Sequence, residues 1–327
     1  MVVLAALNKL VSLKNARALA GVFVLVLASG CASWLPQTHE LRQALPDGAP
    51  ESVELTAVPF FPQDEYQCGP AALATVLAAN GVKITPQELV PEVYLPERKG
   101  SLQVEMLAAA RRHGLVSYQL APRYGDVLRE IAAGNPVVLL QNFGLRDGWH
   151  YAVAVGYDYD KGKLILRSGE TERSQLPFGV NELVWSRSGY WAMVVSPPGR
   201  IVPTAQEERW VSALAAFERV ADPGAARTAY GAALERWPQS VPALVGLANA
   251  HHRLKELPQA EAALRRAEKV APDSVIVLNN LAQTLSDQGK DAEALPVIER
   301  AAQLGGPFSG TVEQTRREIL EKLRKKG

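Results

Sequence analysis

The amino-acid sequence predicts an α+β domain followed by an all-α region of repeated helices. Between residues 53 and 198, helix signals come first and apolar runs of strand length follow, which favours segregated helices and an antiparallel sheet. From about residue 205, similar residues recur every 34 positions. The 327-residue length fits two domains. The 47% apolar composition, with 35 basic against 34 acidic residues, excludes a disordered chain and a basic nucleic-acid binder.

The first thirty residues predict an export signal. Residues 1–30 hold three basic and no acidic residues, and an uncharged apolar run extends from Ala18 to Ala28. That run is shorter than the roughly 20 apolar residues that a membrane-spanning helix needs. Small and polar residues follow it at once, so we expect a cleaved signal peptide over residues 1–30 rather than a retained helix.

The predicted signal ends at Cys31, in the segment Leu27-Ala-Ser-Gly-Cys31. This segment resembles the lipobox of bacterial lipoproteins, although Leu27 stands four rather than three residues before the cysteine. The resemblance implies cleavage before Cys31 and acylation of the new N-terminus, with several acyl chains giving a stable membrane anchor. Because Ala32 rather than an aspartate follows, the expected location is the cell envelope, on the outer membrane facing the periplasm. An ordinary signal peptide with an incidental Cys31 is the alternative.

Residues 31–50 lack sustained periodicity and are predicted to be a tether between the anchor and the first domain. The predicted first domain covers residues 51–199, and the repeats with their terminal helix cover residues 200–327. Without the leader, the mature chain has 32 basic and 34 acidic residues, a net charge of −2. This balance implies no partner that is recruited by charge alone.

Cap and turn residues divide the first domain into elements. Thr85-Pro86 and Ser101 are predicted to cap helices, and Gly156 is predicted to form a bulge in a strand. The predicted helices are 70–80, 86–93, 102–113 and 124–133. The predicted strands are 53–61, 136–141, 150–157, 163–167 and 190–196.

Cys68 is the candidate nucleophile of the first domain. With Cys31 acylated, it is the one thiol of the mature chain, and it directly precedes Gly69-Pro70 and an Ala-rich helix. The positive end of a helix dipole favours a thiolate, and a cysteine nucleophile also needs a nearby base. His150 is the candidate base, because the other four histidines fall in the tether, at a helix end or in the repeats. A structural histidine with a small buried cysteine is the alternative.

Two segments surround this pair, Gln63-Asp-Glu-Tyr-Gln-Cys68-Gly-Pro-Ala-Ala and Gly148-Trp-His150-Tyr-Ala-Val-Ala-Val-Gly156-Tyr-Asp. Together they resemble the papain-like cysteine peptidases that process bacteriocin leaders, and the stand-alone relatives of those peptidases. The resemblance covers residues 53–198 and implies a papain-like α+β fold. It also implies a catalytic Cys–His pair, an oxyanion-hole glutamine upstream of the cysteine, and an aspartate or asparagine that orients the histidine.

Two further positions complete the expected site. Gln63 matches the oxyanion-hole glutamine, one residue closer to the cysteine than in the papain-like pattern, and its amide N–H can stabilise a tetrahedral intermediate. Ser168 stands where an aspartate is expected, after the strand that follows the histidine strand. Its hydroxyl can accept the imidazole N–H, but it has no charge with which to stabilise the imidazolium. If the register differs, the alternatives are Asn142, Asp158, Asp160 and Glu170.

The C-terminal region has a period of 34 residues. The aligned positions are Trp210, Leu244 and Leu278; Leu214, Ala248 and Ala282; Ala226, Ala260 and Ala294; Tyr230, Leu264 and Ile298; and Ala233, Ala267 and Ala301. This pattern resembles the tetratricopeptide repeat. The resemblance implies repeats over about 207–240, 241–274 and 275–308, a C-terminal capping helix from Thr311, and a concave groove for a peptide or protein partner. His251 occupies an aromatic slot of the second repeat, where core packing is expected.

The sequence therefore predicts a lipid-anchored cysteine peptidase that acts on a peptide or protein substrate, with the repeats recruiting substrate or a partner protein. The alternative is a peptide-binding lipoprotein with a degenerate peptidase-like domain, and acyl transfer to another acceptor also stays open. No cofactor and no nucleic-acid partner are expected. A metal site is not expected either, because cysteines are few and the adjacent His251 and His252 cannot share one helical face.

Overall fold

The computed structural model describes residues 35–63, 67–144 and 148–326. The predicted signal peptide and Cys31 lie outside the described residues. Within the described ranges, no helix is long and apolar enough to cross a membrane.

The first domain contains six α-helices and nine strands within the described residues. The helices are α1 Pro36–Gln43, α2 Cys68–Ala79, α3 Pro86–Val93, α4 Gln103–Arg112, α5 Tyr124–Ala132 and α6 Phe178–Ser186. The strands are β1 Ser52–Glu54, β2 Tyr94–Leu95, β3 Gly100–Ser101, β4 Val116–Gln119, β5 Val137–Asn142, β6 Trp149–Asp158, β7 Lys163–Ser168, β8 Thr171–Pro177 and β9 Ala192–Ser196.

Seven of these described strands form one antiparallel sheet, in the order β4-β9-β5-β6-β7-β8, with β1 paired to the far end of β6. This arrangement confirms the predicted α+β class. The register between β6 and β7 shifts between Ala154 and Gly156, which is the predicted bulge. A Cβ atom on Gly156 would lie 2.6 Å from the Val53 carbonyl oxygen, so the close approach of β1 requires glycine there.

The sheet is buried on both faces, because alternate residues of its central strands enter different cores. Val138, Val153 and Ile165 pack with helices α2, α3 and α4. Leu139, Ala152 and Leu164 point to the opposite face, which is covered by α5, α6 and the start of the repeats. Central strands that are buried on both sides read as continuous apolar runs, which is why the sequence located them well.

Some elements differ from the prediction, for local reasons. The first strand ends at Glu54 rather than Phe61, because the chain turns there: the N–H groups of Thr56 and Val58 donate to the carbonyl oxygens of Glu54 and Leu55. Ser101 does not cap α4; it pairs with Tyr94 in the β2–β3 ribbon, and Leu102 takes the cap position. The strands β4 and β8 and the helix α6 were not predicted. Strand β8 is a mostly exposed, polar edge strand without an apolar pattern.

The predicted tether is corrected at its C-terminal part, because residues 36–43 form a helix that is docked on the domain. The buried Glu182 carboxylate accepts hydrogen bonds from the N–H groups of Gln37 (3.0 Å) and Thr38 (2.6 Å) at the start of α1. A carboxylate at a helix N-terminus satisfies free donors and the helix dipole together. Leu41 is buried in the core and its carbonyl accepts from the Tyr159 hydroxyl at 2.7 Å. With so few large apolar residues, the helix shows no periodicity in sequence.

The C-terminal region consists of helices in successive pairs, followed by a terminal helix. They are α7 Glu207–Glu218, α8 Pro223–Arg236, α9 Val241–Arg253, α10 Leu257–Val270, α11 Val275–Asp287, α12 Asp291–Leu304 and α13 Ser309–Lys326. This region confirms the predicted all-α repeat. Small residues set the helix spacing: a Cβ atom on Gly246 would lie 2.2 Å from the Tyr230 ring.

The two regions share one hydrophobic core across the predicted boundary at residue 199. Trp210 of α7 is fully buried, and its ring centroid lies 5.3 Å from that of Tyr118 on β4. The connecting segment is also fixed, because the Thr204 N–H and hydroxyl both donate to the buried Glu130 carboxylate. The first repeat is therefore part of the sheet's packing, and the repeats have a fixed position on the first domain.

Candidate active site

Cys68 is the first residue of α2, where backbone N–H groups are free to point at its side chain. The backbone N–H groups of Tyr151, Gly69 and Cys68 itself lie near the sulfur, where they favour its charged form. Gly69 permits this placement, since a Cβ atom there would lie 2.2 Å from the Ser101 Oγ atom. The start of α2 thus packs between β3 and the beginning of β6, and the half-buried thiol lies between these elements.

His150 lies near the start of β6, and Ser168 ends the adjacent strand β7. The His150 Nε2 atom lies 2.9 Å from the Ser168 Oγ atom. Phe143 packs edge-on against the His150 ring, with 6.2 Å between the ring centroids. Ser168 therefore engages one ring nitrogen of His150 and leaves Nδ1 to take a proton from another group.

The Cys68 thiol and the His150 ring are connected through Tyr151. The Tyr151 N–H lies near the sulfur, and Tyr151 directly follows His150 in β6. Within the described residues, no hydrogen bond joins the thiol to the ring itself. Catalytic hydrogen bonds in ligand-free sites are often long and shorten when substrate binds. The structure thus places the two predicted residues at neighbouring positions of one site.

Burial controls the protonation of both groups. Burial raises the pKa of the Cys68 thiol, and the nearby N–H groups of Tyr151, Gly69 and Cys68 oppose this without reversing it. Burial also lowers the pKa of His150. Burial therefore disfavours both the thiolate expected from the helix N-terminus and the imidazolium.

Gln63 lies close to the same strand start. Its Nε2 atom donates to the Tyr151 carbonyl oxygen at 3.4 Å, and its backbone N–H donates to the Gly169 carbonyl oxygen at 3.2 Å. The segment before Cys68 is thereby attached to the turn after Ser168. One of the two amide N–H groups of Gln63 remains available to a bound substrate.

The four alternatives to Ser168 are engaged elsewhere or lie apart from the ring. The Asn142 side chain accepts the Gly144 N–H at 2.8 Å in the hairpin, and Asp158 pairs with Lys161 at 2.6 Å. No hydrogen bond within the described parts of the chain links these two, Asp160 or Glu170 to the His150 ring.

The other histidines have partners outside this site. His113 lies 2.8 Å from Glu92, His251 lies 2.6 Å from Glu256, and His252 lies 2.8 Å from Asp287. His251 is largely buried, as expected of its slot in the repeat, although it also makes this ion pair. Across the described residues, no group of three or more His, Cys, Asp or Glu side chains converges as a metal site would require.

Two contributors to the site were not recognised in the sequence. Tyr151 acts through its backbone N–H, which leaves no signature in residue type. Phe143 and the exposed Trp149 flank His150 on the β5–β6 hairpin, with side chains 39% and 57% exposed. The signal available in the sequence was the presence of these aromatic residues within seven positions of the candidate base.

Three family models match the chain, one before the connecting segment and two after it. Residues 55–192 match the model described as Peptidase_C39 like family, and residues 205–281 and 256–307 match models described as Tetratricopeptide repeat. The chain combines a Peptidase_C39-like domain with tetratricopeptide repeats. The C39-like domain contains Cys68, His150 and Ser168 on its central elements, and the predicted fold class is confirmed in both regions.

Solved structures resemble parts of the chain. A putative C39-like peptidase from Bacillus anthracis is 18% identical, covering 45% of this chain and 98% of its own, with a TM-score of 0.37. The TPR2B domain of yeast Sti1, in a complex with pHsp70, is 19% identical, covering 36% of this chain and 97% of its own, with a TM-score of 0.34. YrrB, a TPR protein with an unusual peptide-binding site, is 17% identical. The match covers 35% of this chain and 59% of YrrB, with a TM-score of 0.32. No match was found among curated proteins.

The contact of Ser168 with His150 predicts the effect of restoring a carboxylate. In Ser168→Asp, a negative charge beside the ring should raise the His150 pKa, and the resulting imidazolium should lower the pKa of Cys68. The pH profile of Cys68 alkylation by iodoacetamide, followed on its tryptic peptide by mass spectrometry, should shift to lower pH. Ser168→Asn is the matched control, because it has the same shape without charge. Identical profiles for Asp and Asn would place Ser168 outside the site.

Proposed function

We propose that the protein is a lipid-anchored cysteine peptidase of the cell envelope, with Cys68 as nucleophile and His150 as its base. The carrying observation is the placement of Cys68 at the start of α2 beside the Tyr151 N–H, with the His150 ring held by Ser168 at 2.9 Å. A thiol at a helix N-terminus and an oriented imidazole are the parts that thiol-dependent nucleophilic catalysis needs. The Peptidase_C39-like match over residues 55–192 supports the same reaction class.

Because burial disfavours both charged forms, the reaction begins with transfer of the thiol proton to His150 Nδ1 as the sulfur attacks the substrate carbonyl carbon. The tetrahedral intermediate then collapses, the amine leaves with the proton from His150, and a thioester on Cys68 remains. Water, deprotonated by His150, hydrolyses that thioester and restores the thiol. Ser168 acts as a positioning residue, since it fixes the ring through Nε2 without adding charge.

Gln63 is the proposed side-chain donor to the oxyanion. Its amide group lies at the Tyr151 carbonyl, next to the backbone N–H groups that surround the thiol. A hydrogen-bond donor aimed at the position where negative charge develops stabilises the transition state. The distance of 3.4 Å between Gln63 Nε2 and the Tyr151 oxygen is long for a hydrogen bond, so the amide can turn toward a substrate.

The repeats are proposed to recruit the peptide substrate or a partner protein. A cavity of about 160 Å³ between α9 and α11 is lined by polar side chains, among them Asn249, His252, Asn279, Asn280 and Gln283. Amide side chains offer both donors and acceptors, which match the backbone of an extended peptide. The fixed packing of α7 on β4 would hold such a peptide at a constant distance from Cys68.

One observation favours the second candidate, a peptide-binding lipoprotein without turnover. Ser168 gives His150 no negative partner, and burial disfavours both the thiolate and the imidazolium. The two functions are separated by incubating the purified protein with a complex peptide mixture and identifying new termini by mass spectrometry. Recurrent new termini support the peptidase, whereas retained but uncut peptides support the binder.

The lipid anchor predicts a specific localisation result. Cys31→Ser removes the proposed acylation site, so the protein should leave the membrane fraction or keep an unprocessed leader, as measured by fractionation and intact mass. Cys68→Ser is the matched control and should stay with the membrane. If the Cys31 variant keeps its leader and its full membrane fraction, the leader is a retained helix and the lipid proposal is wrong.

A further inference from the structure

A cleft lies between the C39-like domain and the first repeat, away from Cys68. Its volume is about 450 Å³, within the range of ligand pockets. The end of α4 and strand β4 form one wall, and α7 forms the other. Polar side chains in the lining are Arg111, Ser117, Gln119, Glu208, Arg209 and Ser212.

Arg111 is the unusual residue of this cleft. Its side chain is half-buried, its Nε atom is inaccessible to solvent, and that atom has no hydrogen-bond partner. Among the described residues, Arg111 makes no ion pair, and Glu92, which pairs with the neighbouring Arg112 and His113, is already engaged. A buried polar nitrogen without a hydrogen-bond partner is destabilising, and a ligand that accepts hydrogen bonds from this guanidinium would offset part of that cost.

The residues around Arg111 add positive charge and little negative charge to balance it. Burial, and then the nearby Arg219, lower the pKa of Arg111. Arg209 uses one guanidinium nitrogen on the carbonyl oxygens of Gln119 and Leu120, at 3.3 and 3.1 Å, and pairs with no acid in the described chain. Glu208 is the acidic residue of the lining, and it forms no ion pair with these arginines within the described residues. The cleft thus has an excess of positive charge and unused donors.

We propose that this cleft binds an acidic segment of the peptide substrate, with a carboxylate paired to Arg111. The proposal rests on the proposed peptidase function, since it assigns a recognition site to that substrate. The planar guanidinium fork matches a carboxylate in two parallel hydrogen bonds. An acidic peptide is favoured over a free phosphate, because a segment with more than one carboxylate can contact both Arg111 and Arg209, which line the same cleft.

The test measures binding without turnover in full-length Cys68→Ala protein. The probes are a fluorescein-labelled octapeptide of alternating Glu and Ala, and the same peptide with Gln for Glu, compared by fluorescence anisotropy at low and high salt. The Glu peptide should bind more tightly, and added salt should weaken it. Arg111→Gln should reduce affinity for the Glu peptide about tenfold or more. Arg317→Gln, at an exposed arginine of α13, is the matched control and should leave it unchanged.

Several outcomes would overturn the proposal. Equal binding of the Glu and Gln peptides would do so, as would an Arg111→Gln protein with unaltered affinity. Binding of inorganic phosphate at Arg111, with no measurable binding of the Glu peptide, would indicate a phosphate site instead. Thermal unfolding checks the variant, and Arg111→Lys should keep part of the affinity. Because binding is read in Cys68→Ala, loss of peptide binding refutes this site alone, whereas binding without cleavage by wild type refutes the peptidase alone.

Discussion

Replacement of Cys68 by alanine is expected to abolish peptide cleavage, a loss on the order of 10⁶-fold that in practice reaches the limit of detection. Cys68 is the free cysteine of the described chain, and the hydroxyl of Ser168, which contacts the His150 ring, is assigned to positioning the ring rather than to attack on the substrate. The measurement is the initial rate on a peptide identified from the mixture described above, with circular dichroism to verify folding.

The matched control for this variant is Cys31→Ser assayed in detergent, which removes the other cysteine and should keep the wild-type rate. Turnover by Cys68→Ala at the wild-type rate would mean that another group cuts the peptide. In that case the C39-like domain would be left with the binding function.

Replacement of His150 by alanine is expected to lower kcat by about 10²–10⁴-fold, the usual contribution of a general base. The loss should shrink as pH rises, because hydroxide can then deprotonate Cys68 directly. Since burial raises the pKa of this thiol, recovery should begin above the pH at which an ordinary cysteine ionises. The measurement is kcat against pH for wild type and variant.

His113→Ala is the matched control, because His113 pairs with Glu92 outside the site. A His150→Ala enzyme whose rate and pH profile equal those of wild type would remove His150 from the mechanism. A rate loss that stays constant across pH would indicate a structural role for the ring rather than proton transfer.

The fold was predictable where apolar pattern and cap residues agree. The capping box of Thr85 with Glu88 starts α3 where it was expected, and the doubly buried strands β5, β6 and β7 were located to within about a residue or two. The helix α1 and strand β8 were missed because their stability comes from distant partners, such as Glu182 for α1, and not from their own sequence. Tertiary contacts of this kind have no local periodicity to detect.

The candidate site was predictable in its residue types and less so in its electrostatics. Cys68 and His150 lie at neighbouring positions, and the hydroxyl of Ser168 contacts the ring. The helix N-terminus at Cys68 predicted a lowered thiol pKa, but burial has the larger effect and raises that pKa. The extent of burial depends on how α2, β3 and β6 pack together. That packing is a property of the assembled fold, so the direction of the pKa shift could not be deduced from spacing along the chain.

The docked helix α1 limits how far the protein can reach from a bilayer. Its first turn is fixed by Glu182, and Leu35 precedes it. With Cys31 acylated as proposed, four residues separate it from Pro36, and however they are arranged the five Cα–Cα steps span at most about 18 Å. The active site would then meet substrates close to the membrane surface rather than substrates throughout the compartment. Lengthening the segment between Cys31 and α1, with the active site unchanged, should extend the range of substrates that the protein can reach.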